Sequence, residues 1–200
     1  MSNIPERLRA RRLRIEAGGD EGFTLIELLV VLLIIGILLA IAIPTFLSVT
    51  KSANNTAAQA NLQTALTGAD TYYTNANQTY SGIYVASATV SDLSAIDVGL
   101  TFVSGTASTG PNVISLSTAT NGNNGALVLT AYAKGTKDCW IVIDLKSSIA
   151  SPGVYGATAP GTYYEVLRSQ NTSSTCVAGT TTFGSLTGHT TPQTSGFPSG

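Results

Sequence analysis

Few residues in this 200-residue chain are of the types that carry out chemistry. It contains one histidine, His189, and two cysteines without a CxxC spacing, which is too small a stock for a His/Cys metal site. No Ser/His/Asp set can form without His189, and neither a Gly-rich phosphate loop nor HExxH occurs. Two carboxylate pairs, Asp92 with Asp97 and Asp138 with Asp144, are more typical of loops and strand edges than of a catalytic dyad. We therefore predict a protein that is not an enzyme and that uses no cofactor and no metal.

The two cysteines, Cys139 and Cys176, are the next candidates. Outside the cytosol such a pair is usually oxidised, and a disulfide between them would close a loop of 38 residues. The chain-entropy model assigns about 4 kcal/mol of stabilisation to a loop of that length. The alternative is two unpaired buried thiols. The choice between them depends on whether this part of the chain is exported.

Glu27 is the third candidate, because of where it lies. It is the single charged residue between Phe23 and Leu47, and the sixteen residues from Leu28 to Ile43 have no polar side chain. A carboxylate inside the hydrocarbon layer costs several kcal/mol unless it is neutralised or paired, so its presence there indicates a function. The alternative is a position at the headgroup boundary, where the cost is small.

The apolar run that contains Glu27 predicts a membrane-spanning helix. At 1.5 Å per residue, 25 residues span about 37 Å, which exceeds a hydrocarbon core of about 30 Å. Five arginines lie in residues 1–22, so the N-terminus is predicted to stay in the cytoplasm and the part after the helix to be exported. Export favours the disulfide for the cysteine pair.

The composition indicates that the chain consists of parts that differ in charge and hydropathy. Only 10% of residues are charged and mean hydropathy is +0.25, although 48 of the 200 residues are Ser or Thr. Nine of the 21 charged residues fall in residues 1–22. The net charge of −1 provides no positive field for phosphate, which excludes a basic nucleic-acid binder as the default interpretation.

Three interpretations of the N-terminal segment fit these observations. The first is a secretory signal cleaved at the small residues Ala40 and Ala42, and the second is a plain single-pass anchor. The third is a segment in which Glu27 itself has a function. Only this interpretation gives the carboxylate a purpose after export.

The eleven residues from Glu21 to Val31, EGFTLIELLVV, favour the third interpretation. They resemble the class III signal of type IV prepilins and of the pseudopilins of type II secretion systems, in which Gly, Phe and Glu stand at fixed spacing before an apolar run. The resemblance implies that a prepilin peptidase cuts between Gly22 and Phe23 and N-methylates Phe23. It also implies that Glu27 meets the N-terminal ammonium of a neighbouring subunit and fixes the register of assembly.

The same resemblance implies the partners and the location. The partners are copies of the chain itself in a helical polymer, prepilin peptidase, an assembly platform with its ATPase, and membrane lipid before assembly. Nucleic acid would be an indirect partner only, if the fibre served DNA uptake. The chain would cross the cytoplasmic membrane once, with its C-terminus outside, and would then form part of a cell-surface fibre.

Gly36 and Pro44 predict a weak stretch in the helix. Glycine is a poor helix former, and proline removes a backbone hydrogen bond and clashes with the preceding turn. Related filaments melt locally in this region, so the resemblance implies local melting between these two residues in the fibre.

The chain is thus predicted to have four parts and an α+β fold of the type IV pilin kind. They are a basic leader, 1–22, that is removed; an apolar helix, 23–47; a globular head, 48–178; and a Ser/Thr/Gly/Pro-rich tail, 179–200, read as surface loop or disorder. Apolar residues at helical spacing extend the helix to about residue 73, and its C-terminal half is expected to pack on the sheet.

Alternating residues after the helix predict an antiparallel sheet of about four strands. The expected strands lie at 112–119, 127–133, 139–145 and 163–168, and the turns between the first three contain Gly122 and Gly125, then Gly135. Leu127, Leu129, Ala131 and Ala133 share one face of the second strand, and Cys139, Ile141, Ile143 and Leu145 share one face of the third.

Two classes of function remain. The favoured one is a structural subunit of a type IV pilus, with a pseudopilin of a type II secretion system as the alternative within the family. The other class is a secreted or anchored binding module that carries a conventional signal sequence.

Overall fold

The described part of the chain is one long helix followed by five strands. A computed structural model describes residues 22–83, 93, 99–118, 125–149, 156–170, 175–179 and 191–198. The elements are α1 (Leu25–Asn75), β1 (Thr101–Ser104), β2 (Val113–Thr118), β3 (Ala126–Ala133), β4 (Asp138–Leu145) and β5 (Gly161–Leu167). The chain divides into two compact units, Met1–Phe46 and Leu47–Gly200, and the sheet belongs wholly to the second.

Helix α1 buries a single face in the second unit. Ala58, Leu62, Ala65, Ala69 and Tyr72 lie three or four positions apart and are at most 6% exposed. This spacing puts them on one side of an α-helix, where they join the core formed with the sheet. The helix starts two residues later and ends two residues later than the sequence predicts.

The strands form one sheet in the order β1-β2-β3-β4-β5. Neighbours from β2 to β5 are antiparallel, with Leu129 opposite Leu116 and Val142. The prediction of an α+β fold with a helix packed on a mainly antiparallel sheet is therefore confirmed. The sheet has five strands rather than about four, because β1 adds at one edge and pairs parallel to β2.

Both faces of the sheet are buried. The helix covers one face, which includes Leu127, Leu129, Ala131 and Ala133 of β3 together with Trp140 and Val142 of β4. The opposite face forms a second cluster with Cys139, Ile141, Ile143 and Leu145 of β4. The predicted alternation of both strands is confirmed, but the predicted set on β4 lies on the face away from the helix.

Two segments near the end of the chain, 175–179 and 191–198, contact the sheet. Cys176 forms a disulfide with Cys139, and its carbonyl accepts a hydrogen bond from the backbone N–H of Ser108 at 2.9 Å. Gln193 exchanges two backbone hydrogen bonds with Tyr164 of β5, at 2.8 and 3.0 Å. Phe197 packs edge-on against Trp140, with ring centroids 5.5 Å apart. The described part of the tail therefore contacts the edge strand and the helix-side core.

A partly buried polar network ties α1 to the sheet. Asp144 is 2% exposed, accepts a hydrogen bond from the Tyr80 hydroxyl, and lies 3.0 Å from the Lys146 Nζ. That ammonium also lies 2.6 Å from the Oδ1 of Asp70 on the helix. Burial and the hydrogen bond to Asp144 raise the pKa of Tyr80. Burial alone would lower the pKa of Lys146, but its hydrogen bonds to the two carboxylates outweigh that and raise it.

The turn between β3 and β4 docks directly on the helix. A Cβ placed on Gly135 would lie 2.7 Å from the Cα of Lys51, closer than real contacts allow. Next to it, the Thr136 hydroxyl donates to the Oδ1 of Asn55 at 2.6 Å, and the Trp140 indole donates to the same atom at 3.1 Å. Glycine is required here because the two backbones touch.

We expect Gly135→Ala to destabilise the head by about 1 to 3 kcal/mol, since the added methyl group forces two backbones apart. Thermal unfolding followed by Trp140 fluorescence would measure the loss. The matched control is Gly110→Ala, because a Cβ there meets side-chain atoms at 3.6 Å, an ordinary contact distance. Equal unfolding midpoints for the two variants would contradict the close approach.

Candidate functional site: the N-terminal helix and its first turn

Gly22 and Phe23 lie just ahead of the helix. Neither residue has helical structure, and both are exposed, Phe23 to 84%. A Cβ built on Gly22 would meet no atom within 4 Å. The peptide bond between these residues is therefore accessible. Nothing in the fold of the described residues requires a residue as small as glycine at position 22.

Thr24 and Glu27 form a capping box at the start of α1. The Glu27 carboxylate accepts hydrogen bonds from the backbone N–H of Thr24 at 2.9 Å and from its hydroxyl at 2.8 Å. The Thr24 hydroxyl in turn accepts from the backbone N–H of Glu27 at 3.3 Å. Such a pair satisfies donors that a helix end otherwise leaves open. Glu27 therefore stabilises the helix start of its own chain, a role that we did not predict, although the T-x-x-E pattern before an apolar run signals it.

The apolar part of the helix has no partner among the residues that the structure describes. Every Leu, Ile, Val and Phe side chain from Phe23 to Val49 is at least 45% exposed. By length and composition, this is a helix that could cross a membrane, and none of its most apolar window is buried. So large an exposed apolar surface requires lipid or another protein surface to cover it.

Gly36 and Pro44 both lie inside an unbroken helix in this single chain. A Cβ on Gly36 would meet nothing within 4 Å, so no packing demands glycine there. Next to Pro44, the Thr45 hydroxyl donates to the carbonyls of Ile41 at 2.8 Å and Ala42 at 3.0 Å. These bonds supply polar contacts close to the place where proline removes a backbone donor.

Several sequence predictions fall outside the described residues. They are the leader up to residue 21, the tail residue His189, and the carboxylates Asp92 and Asp97. Of the second carboxylate pair, Asp138 lies 3.7 Å from Arg168 and Asp144 lies in the Lys146 network, so each has a separate structural partner. Among the residues that the structure describes, no group of three or more His, Cys, Asp or Glu side chains could hold a metal ion.

Comparison with known proteins agrees with the geometry of the helix start. Residues 19–43 match the family described as the prokaryotic N-terminal methylation motif. Over 63 residues the chain is 44% identical to the type IV narrow pilus major component PilA5 of Thermus thermophilus. The match covers 32% of this chain and 51% of that protein, so the chain spans about half the length of the relative. No solved structure gives a significant match.

The motif, the similarity and the fold together support membership of the type IV pilin family. The methylation motif ends at residue 43, inside the exposed apolar part of α1. The relative in Thermus thermophilus is, by its name, a major component of a type IV narrow pilus.

Proposed function

We propose that this chain is a structural subunit of a type IV pilus. The observation that carries the proposal is the helix surface from Phe23 to Val49, which is exposed throughout and begins within the methylation motif, residues 19–43. Lipid covers this surface while the subunit is in the membrane. In the fibre it is buried against the same surface of other copies, because apolar helices of this length have no other stable partner in water.

Processing would turn this helix into the N-terminus of the subunit. Cleavage between Gly22 and Phe23 by prepilin peptidase removes the arginine-rich leader and leaves an ammonium group on Phe23, which is then methylated. Glu27 lies four residues along the helix and provides the opposite charge. The proposal includes a pairing of that carboxylate with the ammonium group of a neighbouring subunit, which would fix the axial register of the fibre.

The likeness to a pilus major component favours a pilus over a pseudopilin assembly. Imaging of cells that carry and lack the gene distinguishes the two functions. Long surface fibres that disappear with the gene support the pilus, whereas a loss of protein secretion with no change in fibres favours the pseudopilin.

The mass and first residue of the exported protein test the proposal. We expect a chain that begins at N-methylated Phe23. A start at Ile43 would show cleavage of a conventional signal, and an intact Met1 would show a plain anchor. Either result would overturn the filament model.

Gly22→Val should block processing, with at least about a tenfold loss of the cleaved form. Misfits as small as one methylene change enzyme selectivity by about 10- to 200-fold. The matched control is Gly22→Ala, which keeps a small side chain and should still be cleaved. Because a Cβ at this position meets nothing, neither variant should alter the fold of the head. Efficient cleavage of Gly22→Val would contradict the assigned site.

A further inference from the structure

Strand β5 (Gly161–Leu167) forms one edge of the sheet, beside β4. Its register with β4 runs residue by residue over the whole strand, so no bulge bends β5 away from a straight edge. Tyr164 directs its backbone N–H and C=O outward from this edge, where both groups bond to Gln193. A strand edge of this kind is a template for pairing with another chain unless something covers it.

The side chains of β5 do little to prevent such pairing. Its sequence, GTYYEVL, contains neither lysine nor proline, the residues that most often protect edge strands. The one charged residue, Glu165, is 1% exposed, so its carboxylate does not face an approaching strand. Tyrosine, threonine and valine are typical of paired strands, so the composition favours a further strand at this edge.

Residues 191–198, here called the strap, cover this edge and the apolar surface next to it. Gln193 donates its N–H to the Tyr164 carbonyl at 3.0 Å and accepts from the Tyr164 N–H at 2.8 Å. Four residues further on, the Phe197 ring lies against Tyr164 and Trp140, with centroids 4.9 and 5.5 Å away. Pro198 is buried. The strap is therefore held at two points, one on the backbone of the edge and one on the helix-side core.

The strap covers the edge without becoming a sixth strand. Its pairing with β5 is an isolated bridge between Gln193 and Tyr164. Pro192, directly before the bridge, has no N–H that a further strand could use. Gly196 has a φ of 124°, which turns the chain away from an extended path after three residues. A complete added strand would present a new edge to other chains, whereas this segment protects the existing one and presents none.

We propose that the strap is an autoinhibitory contact that keeps the outer edge of β5 from pairing with β5 of a second copy of this chain. Antiparallel pairing about a two-fold axis places Tyr164 opposite the same residue of the second copy, where it makes the two hydrogen bonds that Gln193 otherwise makes. The inference concerns the second compact unit alone and does not rest on the proposed function. In a pilus subunit, the strap would keep crowded heads from pairing through their sheets before assembly.

Gln193 provides a test in the full chain. Its side chain is exposed, so Gln193→Ala keeps the backbone bonds of the strap and should associate as the unchanged chain does. Gln193→Pro removes the N–H that donates to Tyr164 and should raise the association constant about three- to tenfold. Sedimentation equilibrium in density-matched detergent measures the constant. The apolar helix is common to all the proteins, so association through it does not change the comparison. Equal constants for the two variants would overturn the proposal.

Removal of the strap should have a larger effect. We expect a chain that ends at residue 190 to associate about tenfold or more strongly than the full chain, because the whole edge is then open. Cooperative thermal unfolding, followed by Trp140 fluorescence, checks that the head of the shortened chain is folded. A folded shortened chain that associates no more strongly than the full chain would contradict the protective role of the strap.

Variants of Tyr164 in the shortened chain separate strand pairing from apolar adhesion, since loss of the strap also uncovers the rings of Trp140 and Tyr164. Tyr164→Pro removes the ring and the outward N–H, whereas Tyr164→Ala removes the ring alone. The proline variant should return to the association constant of the full chain, and the alanine variant should keep the increase. Equal constants for these two variants would assign the association to apolar contact and overturn the proposal. Fibre formation enters none of these measurements, so their outcome is independent of the proposed function.

Discussion

Replacing Glu27 with glutamine should leave the chain cleaved after Gly22 but reduce fibre assembly by more than about a hundredfold. Glutamine keeps a side-chain oxygen that can accept the hydrogen bonds from Thr24, so the capping box survives. It removes the negative charge, however, and in the proposed fibre it would leave the ammonium group of a neighbouring subunit unpaired in an apolar bundle. Breaking a buried ion pair in this way costs about 3 to 5 kcal/mol, which corresponds to more than a hundredfold in an equilibrium constant.

Two further variants separate the capping role of the Glu27 carboxylate from its proposed role in charge pairing. Glu27→Ala removes both the cap and the charge and should assemble no better than Glu27→Gln. Thr24→Val removes the hydroxyl of the capping box but keeps the charge, and should cost only about 1 kcal/mol through a frayed helix start. Sedimentation of sheared fibres, with the cleaved subunit in the membrane as reference, measures assembly. Normal fibres from Glu27→Gln would show that Glu27 acts as a cap and that charge pairing is wrong.

The capping role of Glu27 illustrates what sequence patterns can and cannot establish. Its position in an apolar run predicts a function, since a lone carboxylate there is costly. The resemblance then suggests a partner in another subunit, and the structure adds one within the same chain. Thr24 and Glu27 are three residues apart, so this partner is local and visible in the sequence. A partner in another copy cannot be derived from the pattern of one chain.

The middle strands of the sheet could be predicted because their side chains alternate regularly between its two faces. In β3 and β4 each face alternates with period two, and glycine and lysine mark the turn between them. Strand β1 (Thr101–Ser104) was missed because four residues are too short for a period, and because it pairs in parallel with β2 only after a crossover. Burial of both sheet faces was also missed, since it depends on segments that pack from far along the chain.

The end of the chain was the hardest part to predict. Residues 191–198 lack periodicity, and their composition is typical of loops. Phe197 nevertheless packs against Trp140 and Tyr164, with ring centroids 5.5 and 4.9 Å away. One aromatic residue in a polar segment is a weak signal of packing. Its partners are distant in sequence, so the local pattern does not identify them.

Removal of the disulfide by Cys139→Ala with Cys176→Ala should lower the stability of the head by about 2 to 5 kcal/mol. The bond joins residues 37 positions apart, and its loss returns loop-closure entropy to the unfolded chain. For a domain of this size each kcal/mol lowers the melting temperature by about 2 to 4 °C, so we expect a decrease on the order of 10 °C. Thermal unfolding of the detergent-solubilised chain, followed by Trp140 fluorescence, measures this change.

The loss should be concentrated on the sheet face that the helix does not cover. Cys176 lies in the segment 175–179, where Ala178 packs in the apolar cluster of this face and its N–H donates to the Ser115 hydroxyl at 3.0 Å. Without the covalent bond these contacts alone must hold the segment over β3 and β4, and hydrogen exchange there should accelerate more than in α1. The control Ser115→Ala removes this hydrogen bond and the one that the hydroxyl donates to the Thr106 carbonyl, and should cost about 1 to 3 kcal/mol. A double cysteine variant that melts no earlier than this control would mean that packing, and not the disulfide, fixes the segment.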